Sequence, residues 1–366
     1  MDGGAPSAKR SAGVTTVQIV QHLQPGGIET LALDLLQNPH ASPSFCISLE
    51  GDRQTAIARW SRLAPFQDQL IFMGKKRGLQ PGLALRLARV LRRLSASVAH
   101  THHVGPLLYG GAAARIAGVR LLHTEHDAWH LENEKRRRLM QALTALYSPV
   151  VVADADAVAQ QFSARLGRAV DHIILNGVDV AKFSPGDRQE ARRRLDLPHG
   201  RPVIGFAGRL EHVKGCDLAL EALARSEPSV VLAVAGDGAE RAALEAQARS
   251  FGVADRVLFL GRIDDMRAFF RAIDALCLSS RREGLPIAAL EAQACGAPVI
   301  AFNVGGVREA LCPQSGVLLP AGDVTALAVA FDAASKREET KASARRFVSE
   351  NASRDAMWSR YAAAAS

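Results

Sequence analysis

Short apolar runs alternate with helical patterns along this chain, and the alternation starts afresh halfway, which few architectures accommodate. In residues 1–185 the strand candidates are Val17–Val20, Phe45–Leu49, Gln69–Phe72, Val98–Thr101, Leu121–Thr124 and Val150–Ala153. Helical patterns near 28–37, 53–62, 82–94, 106–116, 133–145 and 157–165 separate them. Strands alternating with helices imply a parallel sheet covered on both faces. The Pro/Gly cluster Phe183-Ser184-Pro185-Gly186-Asp187, a strongly charged helix and Leu197-Pro198-His199-Gly200 then read as a connection. The pattern resumes with Val203–Ala207, Val230–Ala235, Val257–Leu260, Ala275–Leu278, Val299–Ala301 and Val317–Leu319. The expected fold is therefore α/β, with two doubly wound domains, 1–185 and 186–351, facing each other across a cleft. At 366 residues there is chain enough for two cores. Ligands of such sheets bind beyond the carboxyl ends of the strands, so those ends are where chemistry is sought.

Composition narrows the setting. A hydrophobic share of 48% with 22% charged residues is that of a soluble globular protein, and no apolar run approaches the ~20 residues that span a bilayer. Cys46, Cys216, Cys277, Cys295 and Cys312 are scattered without metal-ligand spacing, which suits reduced core thiols and a cytoplasmic location. Lys9 and Arg10 precede a run interrupted by polar residues, so the start reads as a strand with a polar leader rather than a signal peptide. Residues 1–185 carry 21 Lys and Arg against 14 Asp and Glu, whereas 186–366 carry 24 against 23. The basic half calls for an anionic partner surface, lipid or nucleic acid. Seven basic and no acidic residues lie between 74 and 99, densest in Lys75-Lys76-Arg77 and on the leucine-striped helix 83–94. That cluster suits anionic lipid headgroups. With 5% aromatic residues and no recognition module, nucleic acid is not expected.

The strand ends carry the candidate chemistry. Arg281-Arg282-Glu283-Gly284-Leu285-Pro286 leads from a buried run into a helix with Glu291 over a turn inside it. The N–H groups of Gly284 and Leu285 and the helix dipole favour an anion there, and the two glutamates suit sugar hydroxyls. Gly208-Arg209 and Lys214-Gly215 place two cations past another strand, where they can clamp a diphosphate. Gly236-Asp237-Gly238 is a further tight turn, and Gly26-Gly27-Ile28-Glu29 opens the first helix without the dinucleotide fingerprint. His100, His102, His103, His123, His126 and His130 crowd one region, where most are expected to line a cleft and His126 to face the reacting centre. A zinc or nickel site is the lesser reading, because no Cys or spaced His pair accompanies them. Asp154 and Asp156 read as N-cap residues of the helix that follows, and Asp264-Asp265 as another helix start. No metal site is expected.

Together these motifs resemble the retaining nucleotide-sugar glycosyltransferases of the "group 1" family, whose two Rossmann-like domains form the GT-B fold. The resemblance is strongest over about 200–320. There Gly208-Arg209, Lys214-Gly215 and Ala235-Gly236-Asp237-Gly238 precede Glu283-Gly284-Leu285-Pro286 with Leu290-Glu291-Ala292, Gly296-Ala297-Pro298 and Gly305-Gly306-Val307-Arg308-Glu309. Gly26-Gly27-Ile28-Glu29 and Asn176-Gly177-Val178-Asp179 match in the first half, and Trp358–Tyr361 looks like the last helix, which returns to the first domain over about 352–366. The resemblance implies that Arg209 and Lys214 hold the donor diphosphate and that Glu291 binds the ribose, with the base near Ile263. Glu283, with the Gly284 and Leu285 N–H groups, would orient the donor sugar; Gly27 would approach the diphosphate and His126 the anomeric carbon. It further implies a UDP-sugar donor, less readily a GDP-sugar, no metal cofactor, and a glycan or lipid-linked acceptor of bacterial polysaccharide synthesis. Other readings from the residues are a sugar-nucleotide epimerase of the same fold, a catalytically dead binding protein and a nucleic-acid binder.

Overall fold

The computed structural model describes residues 14–334 and 341–366. The polar leader with Lys9 and Arg10 lies outside them. Two compact units emerge: residues up to Ala153 with Phe162–His172 and Trp358–Ser366, and Asp154–Gln161 with Ile173–Met357. Each is built on one sheet with helices between successive strands.

In the first unit the strands are β1 (Thr16–Val20), β2 (Ser44–Ser48), β3 (Leu70–Phe72), β4 (Val98–His102), β5 (Arg120–Glu125), β6 (Val150–Ala153) and β7 (His172–Ile173), in the order β3-β2-β1-β4-β5-β6-β7. From β3 to β6 every pairing is parallel. Period-two alternation sends Val17 and Ile19 into one cluster with Leu87, Leu107 and Leu143, and Val20 into another with Leu33, Leu36 and Leu63. The second unit holds β8 (Val203–Ala207), β9 (Val231–Ala235), β10 (Val257–Gly261), β11 (Ala275–Leu278), β12 (Val299–Phe302) and β13 (Val317–Leu319), parallel in the order β10-β9-β8-β11-β12-β13. Its core packs Phe206, Leu220, Leu232 and Phe331. Strand order reverses beside β1 in one sheet and β8 in the other, the points where such sheets open a crevice.

Two details depart from the sequence pattern. The helix expected over 53–62 stops at Arg59, and a 3-10 segment, Ser61–Gln69, carries the chain to β3. Trp60 is extended there and buried, and Pro65 has no N–H for a regular helix. The connection expected to end the first domain at 185 groups instead with the second unit, whose main stretch is Ile173–Met357. Arg271 Nε donates to the Ser184 carbonyl at 2.7 Å and Arg345 to the Phe183 carbonyl at 3.1 Å. The charged helix that follows, Arg188–Arg194, is clamped as well: Arg192, 3% exposed, pairs with Asp274 at 2.8 Å and Arg188 with its other oxygen at 2.7 Å. The last helix, Arg354–Ala365, docks its far half on the first unit. Trp358 Nε1 donates to the Asp34 carbonyl at 2.9 Å, and Tyr361 meets Thr124 at 3.2 Å.

Candidate active site

In the second unit the loops past β8, β9, β11 and β12 cross one another backbone to backbone. A Cβ on Gly236 would lie 1.8 Å from the Gly208 carbonyl oxygen, and one on Gly305 would lie 1.7 Å from that of Glu283. No side chain fits either crossing, so glycine is a steric necessity at these two positions. The Gly306 N–H donates to the Gly284 carbonyl at 3.0 Å and ties the loop after β12 to the one after β11.

Within this frame Lys214 and Glu283 meet. The ammonium donates to Oε1 at 2.7 Å and to Oε2 at 3.0 Å, with the Lys214 side chain 26% exposed and that of Glu283 9%. Ser280 Oγ donates to the same Oε1 at 2.7 Å. A half-buried charge-assisted pair of this kind is stronger than a surface one. It leaves an ammonium with three donors, two of them on Glu283, at a strand end. Arg209 stands apart from the pair. Its side chain is 63% exposed and bonds Glu211 at 2.6 Å. Gly284 and Leu285 are buried in the loop; Pro286 is extended and stands at the N-cap of the helix Ile287–Ala294. Glu291 is half-buried on that helix, and Ile263 half-buried in the loop after β10. Asp265 caps the next helix through the Arg267 N–H at 3.1 Å.

Capping of the helix Asp156–Leu166 corrects the expectation for Asp154 and Asp156. The carboxylate of Glu309 accepts from the N–H of Asp156 at 2.6 Å and of Ala157 at 2.9 Å. Asp154 instead accepts from the Asn176 amide at 3.2 Å. Glu309 wins because Gly306 sits against Ala155 and brings the loop after β12 to this helix end.

In the first unit the helix Gly27–Leu36 starts at Gly27, and Glu29 folds back over Gly26 to pair with His22 Nδ1 at 3.2 Å. The Glu29 carboxylate beside it raises the His22 pKa. Three of the histidines expected at a cleft are buried: His100, His102 and His123 are 2%, 0% and 0% exposed, inside the sheet packing. The register explains it. Gln18 pairs with His100, His100 with Leu122 and His102 with Thr124, so one face carries Gln18, His100, His102, Thr124 and then His126. His100 Nε2 bonds Thr124 Oγ1 at 2.7 Å, His102 Nδ1 bonds His126 Nε2 at 3.0 Å, and His102 Nε2 bonds Gln18 Oε1 at 2.9 Å. On the other face Glu125, fully buried, lies 3.6 Å from His123 and 3.7 Å from His130. Burial drives the pKa of His100 and His102 well below the ordinary value and lowers that of His103. For His130 burial also pulls down, but the hydrogen bond to Asp127 and the field of Glu125 outweigh it and raise its pKa. His103 itself sits at φ 72°, a backbone region that costs a non-glycine residue ~1–3 kcal/mol.

Sequence reasoning missed Ser280, Glu309 and Gln18, and named His102 only among the cleft histidines. Gln18 was findable as a polar residue inside a buried strand; Glu309 stood in a quoted motif with no role. Lys75 also departs from its surface assignment. Its side chain is 9% exposed and reaches Glu50 at 3.2 Å, so the basic cluster at the surface is Lys76 and Arg77. Among the described residues no group of three or more His, Cys, Asp or Glu has metal-binding geometry, and no helix is long and apolar enough to cross a membrane.

The profile of the family described as glycosyl transferases group 1 matches residues 187–354, and that of glycosyltransferase family 4 matches 25–182. D-inositol 3-phosphate glycosyltransferase of Geodermatophilus obscurus is 34% identical over 283 residues, covering 68% of this chain and 62% of the relative. The enzyme of that name from Jonesia denitrificans is 33% identical over 285 residues, 68% and 66% of the two chains. The chain thus spans a little under two thirds of the length of these relatives. Among solved structures, Anabaena HepE in complex with UDP and glucose superposes with a TM-score of 0.85 at 23% identity, covering 96% of this chain and 98% of the other. WaaG, a glycosyltransferase of lipopolysaccharide biosynthesis, gives 0.72 at 16% identity, covering 95% and 98%. Both carry the same fold.

Proposed function

The chain belongs to the group 1 glycosyltransferases and has their GT-B fold, and from that premise we propose that it moves a hexose or N-acetylhexosamine from a nucleoside-diphosphate sugar to an acceptor with retention at the anomeric carbon. The observation that carries the reading is the Lys214–Glu283 pair, held at 2.7 Å inside a glycine-framed strand end. A bound diphosphate draws Lys214 onto its oxygens and neutralises the leaving group, and Glu283 then turns its carboxylate to a sugar hydroxyl. Arg209, exposed on its long stem, gives up Glu211 for the second phosphate contact. We assign Glu291 to the ribose, the backbone near Ile263 to the base, and the N–H groups of Gly284 and Leu285, together with Gly236, to the donor. On the first unit Gly27 and His126 are the residues assigned to phosphate and sugar. The departing phosphate takes the acceptor proton on the face it leaves, so catalysis rests on positioning and electrostatics rather than on a flanking carboxylate pair.

UDP is the proposed nucleotide, supported by the UDP and UDP-glucose complexes of the Anabaena neighbour. Two cations take the charge that a metal would, so activity is expected to survive EDTA; loss on chelation restored by magnesium contradicts this. The acceptor we propose is a lipid-linked glycan of bacterial polysaccharide synthesis, met at the cytoplasmic membrane face. Leu79 and Leu85 are 79% and 51% exposed amid Lys76, Arg77, Arg86 and Arg89, and each cation near an anionic surface contributes about 1 kcal/mol. The names of the curated relatives favour a second reading, a small inositol phosphate acceptor. Liposome sedimentation separates the two: anionic vesicles at low salt bind the protein under the first reading and leave it in solution under the second. The reaction itself is tested by incubation with sugar nucleotides and acceptors and by NMR of the product. An anomeric carbon of retained configuration is expected, and inversion overturns the reading.

A further inference from the structure

The network of β1, β4 and β5 dictates where one proton sits. Gln18 Oε1 only accepts, so the 2.9 Å bond to His102 Nε2 requires an N–H there. A neutral His102 then presents Nδ1 as a bare acceptor, and the 3.0 Å contact with His126 Nε2 requires His126 to donate. We propose that Gln18 and His102 form a tautomer lock that holds His126 as its Nε2–H form, so that His126 meets any other group through Nδ1 as an acceptor. His102 is in this account a positioning residue acting through His126, and that role rests on the reading of His126 as the residue at the reacting sugar.

The surroundings keep His102 neutral. From its own strand His100 lies with ring centroids 4.2 Å away, and from the facing element His126 stacks at 5.3 Å. His123 and His103 add further imidazoles around it, and its own burial together with these neighbours disfavours a charge on His102. The carboxylates of the cluster face elsewhere: Glu125 lies against His123 and His130, and Asp127 bonds His130 at 3.2 Å. From the last helix the Tyr361 ring lies tilted against His100 at 5.2 Å and brings no charge. With no counter-ion against it, His102 has the one tautomer that satisfies Gln18.

Long-range ¹H–¹⁵N spectra of the full chain labelled with ¹⁵N-histidine read the tautomer directly, with the His126 signals identified by their loss in His126→Asn. The wild type is expected to show Nε2 protonated and Nδ1 bare at neutral pH. Gln18→Met, which cannot accept, should release the lock and give a mixture, whereas Gln18→Glu keeps an acceptor and should not abolish the His102 Nε2–H. His102→Asn keeps an acceptor near the Nδ1 position and should retain the His126 tautomer and most of kcat; His102→Leu should lose both, with kcat down by roughly 10- to 100-fold, the cost of losing an outer partner of a functional histidine. An Nδ1-protonated His126 in the wild type, or an unchanged tautomer in Gln18→Met, overturns the proposal. A locked tautomer in a protein that releases no nucleoside diphosphate from any sugar nucleotide supports the lock and sinks only the functional reading.

Discussion

The two units share a sheet architecture but place their polar groups differently. In the second, β8, β9, β11 and β12 are apolar, and Lys214, Glu283 and Ser280 stand on loops beyond them. Backbones cross there so closely that glycine is obligatory at Gly236 and Gly305. In the first, β4 and β5 carry His100, Thr101, His102, His123, Thr124 and Glu125 within the sheet, all buried. Position in the second unit is therefore set by steric crossings of the main chain, and in the first by side chains that must satisfy one another across strands.

That contrast can be broken experimentally. Lys214→Ala should have the largest effect, on the order of 10²- to 10³-fold in kcat/KM, the usual cost of removing one preorganised charge-stabilising donor. Arg209→Ala, starting from an exposed pair with Glu211, should cost about tenfold; equal losses measured by steady-state kinetics would erase the distinction between the two cations. Next comes Gly236→Ala, whose new Cβ meets a carbonyl at 1.8 Å. A destabilisation of about 3 kcal/mol is expected, confined to the second unit as read by hydrogen exchange. Loss of protection across β1 to β5 instead would show that the crossing is not local.

Acidification should single out the first unit. His100, His102 and His103 have folded pKa values below the ordinary 6.5, so their contribution is present above that pH and is lost as pH falls below it. His22 and His130 are raised, so theirs is full below 6.5 and lost as pH climbs through their folded values. Three against two, with the three more deeply buried, gives a net loss on going from about pH 7.5 to 5.5. Exchange rates corrected for pH should rise in β4 and β5 and not in β8 and β9; protection that holds in both sheets contradicts the titration account. The smallest effect is expected of Glu125→Gln, which removes a carboxylate 3.7 Å from His130 and should lower that histidine's pKa in an NMR titration without abolishing folding.

The same difference decided what could be read from the residues alone. Steric crossings leave glycines and prolines in the sequence, so the loops at Gly208, Gly236, Glu283 and Gly305 were legible, as were the strands that lead to them. A side-chain network leaves only residue types. His100, His102 and His126 looked like cleft residues until the strand register put Gln18, His102 and His126 on one face. Lys75 looked exposed because its neighbours Lys76 and Arg77 are; its partner Glu50 lies on a different strand end and is invisible to local spacing. The charged helix Arg188–Arg194 read as a linker because nothing nearby announces Asp274, over 70 residues on, as its counter-ion. The cap of the helix Asp156–Leu166 was misassigned for the same reason, since Glu309 comes from far along the chain.

The central claim is that Lys214, paired with Glu283, serves a sugar-nucleotide leaving group. Release of nucleoside diphosphate from UDP-glucose, UDP-N-acetylglucosamine and their GDP counterparts, measured for the wild type and Lys214→Ala side by side, tests it most directly. The account predicts acceptor-stimulated release of UDP by the wild type and a loss of at least about 100-fold in the variant. Release that proceeds equally well without Lys214 would contradict it.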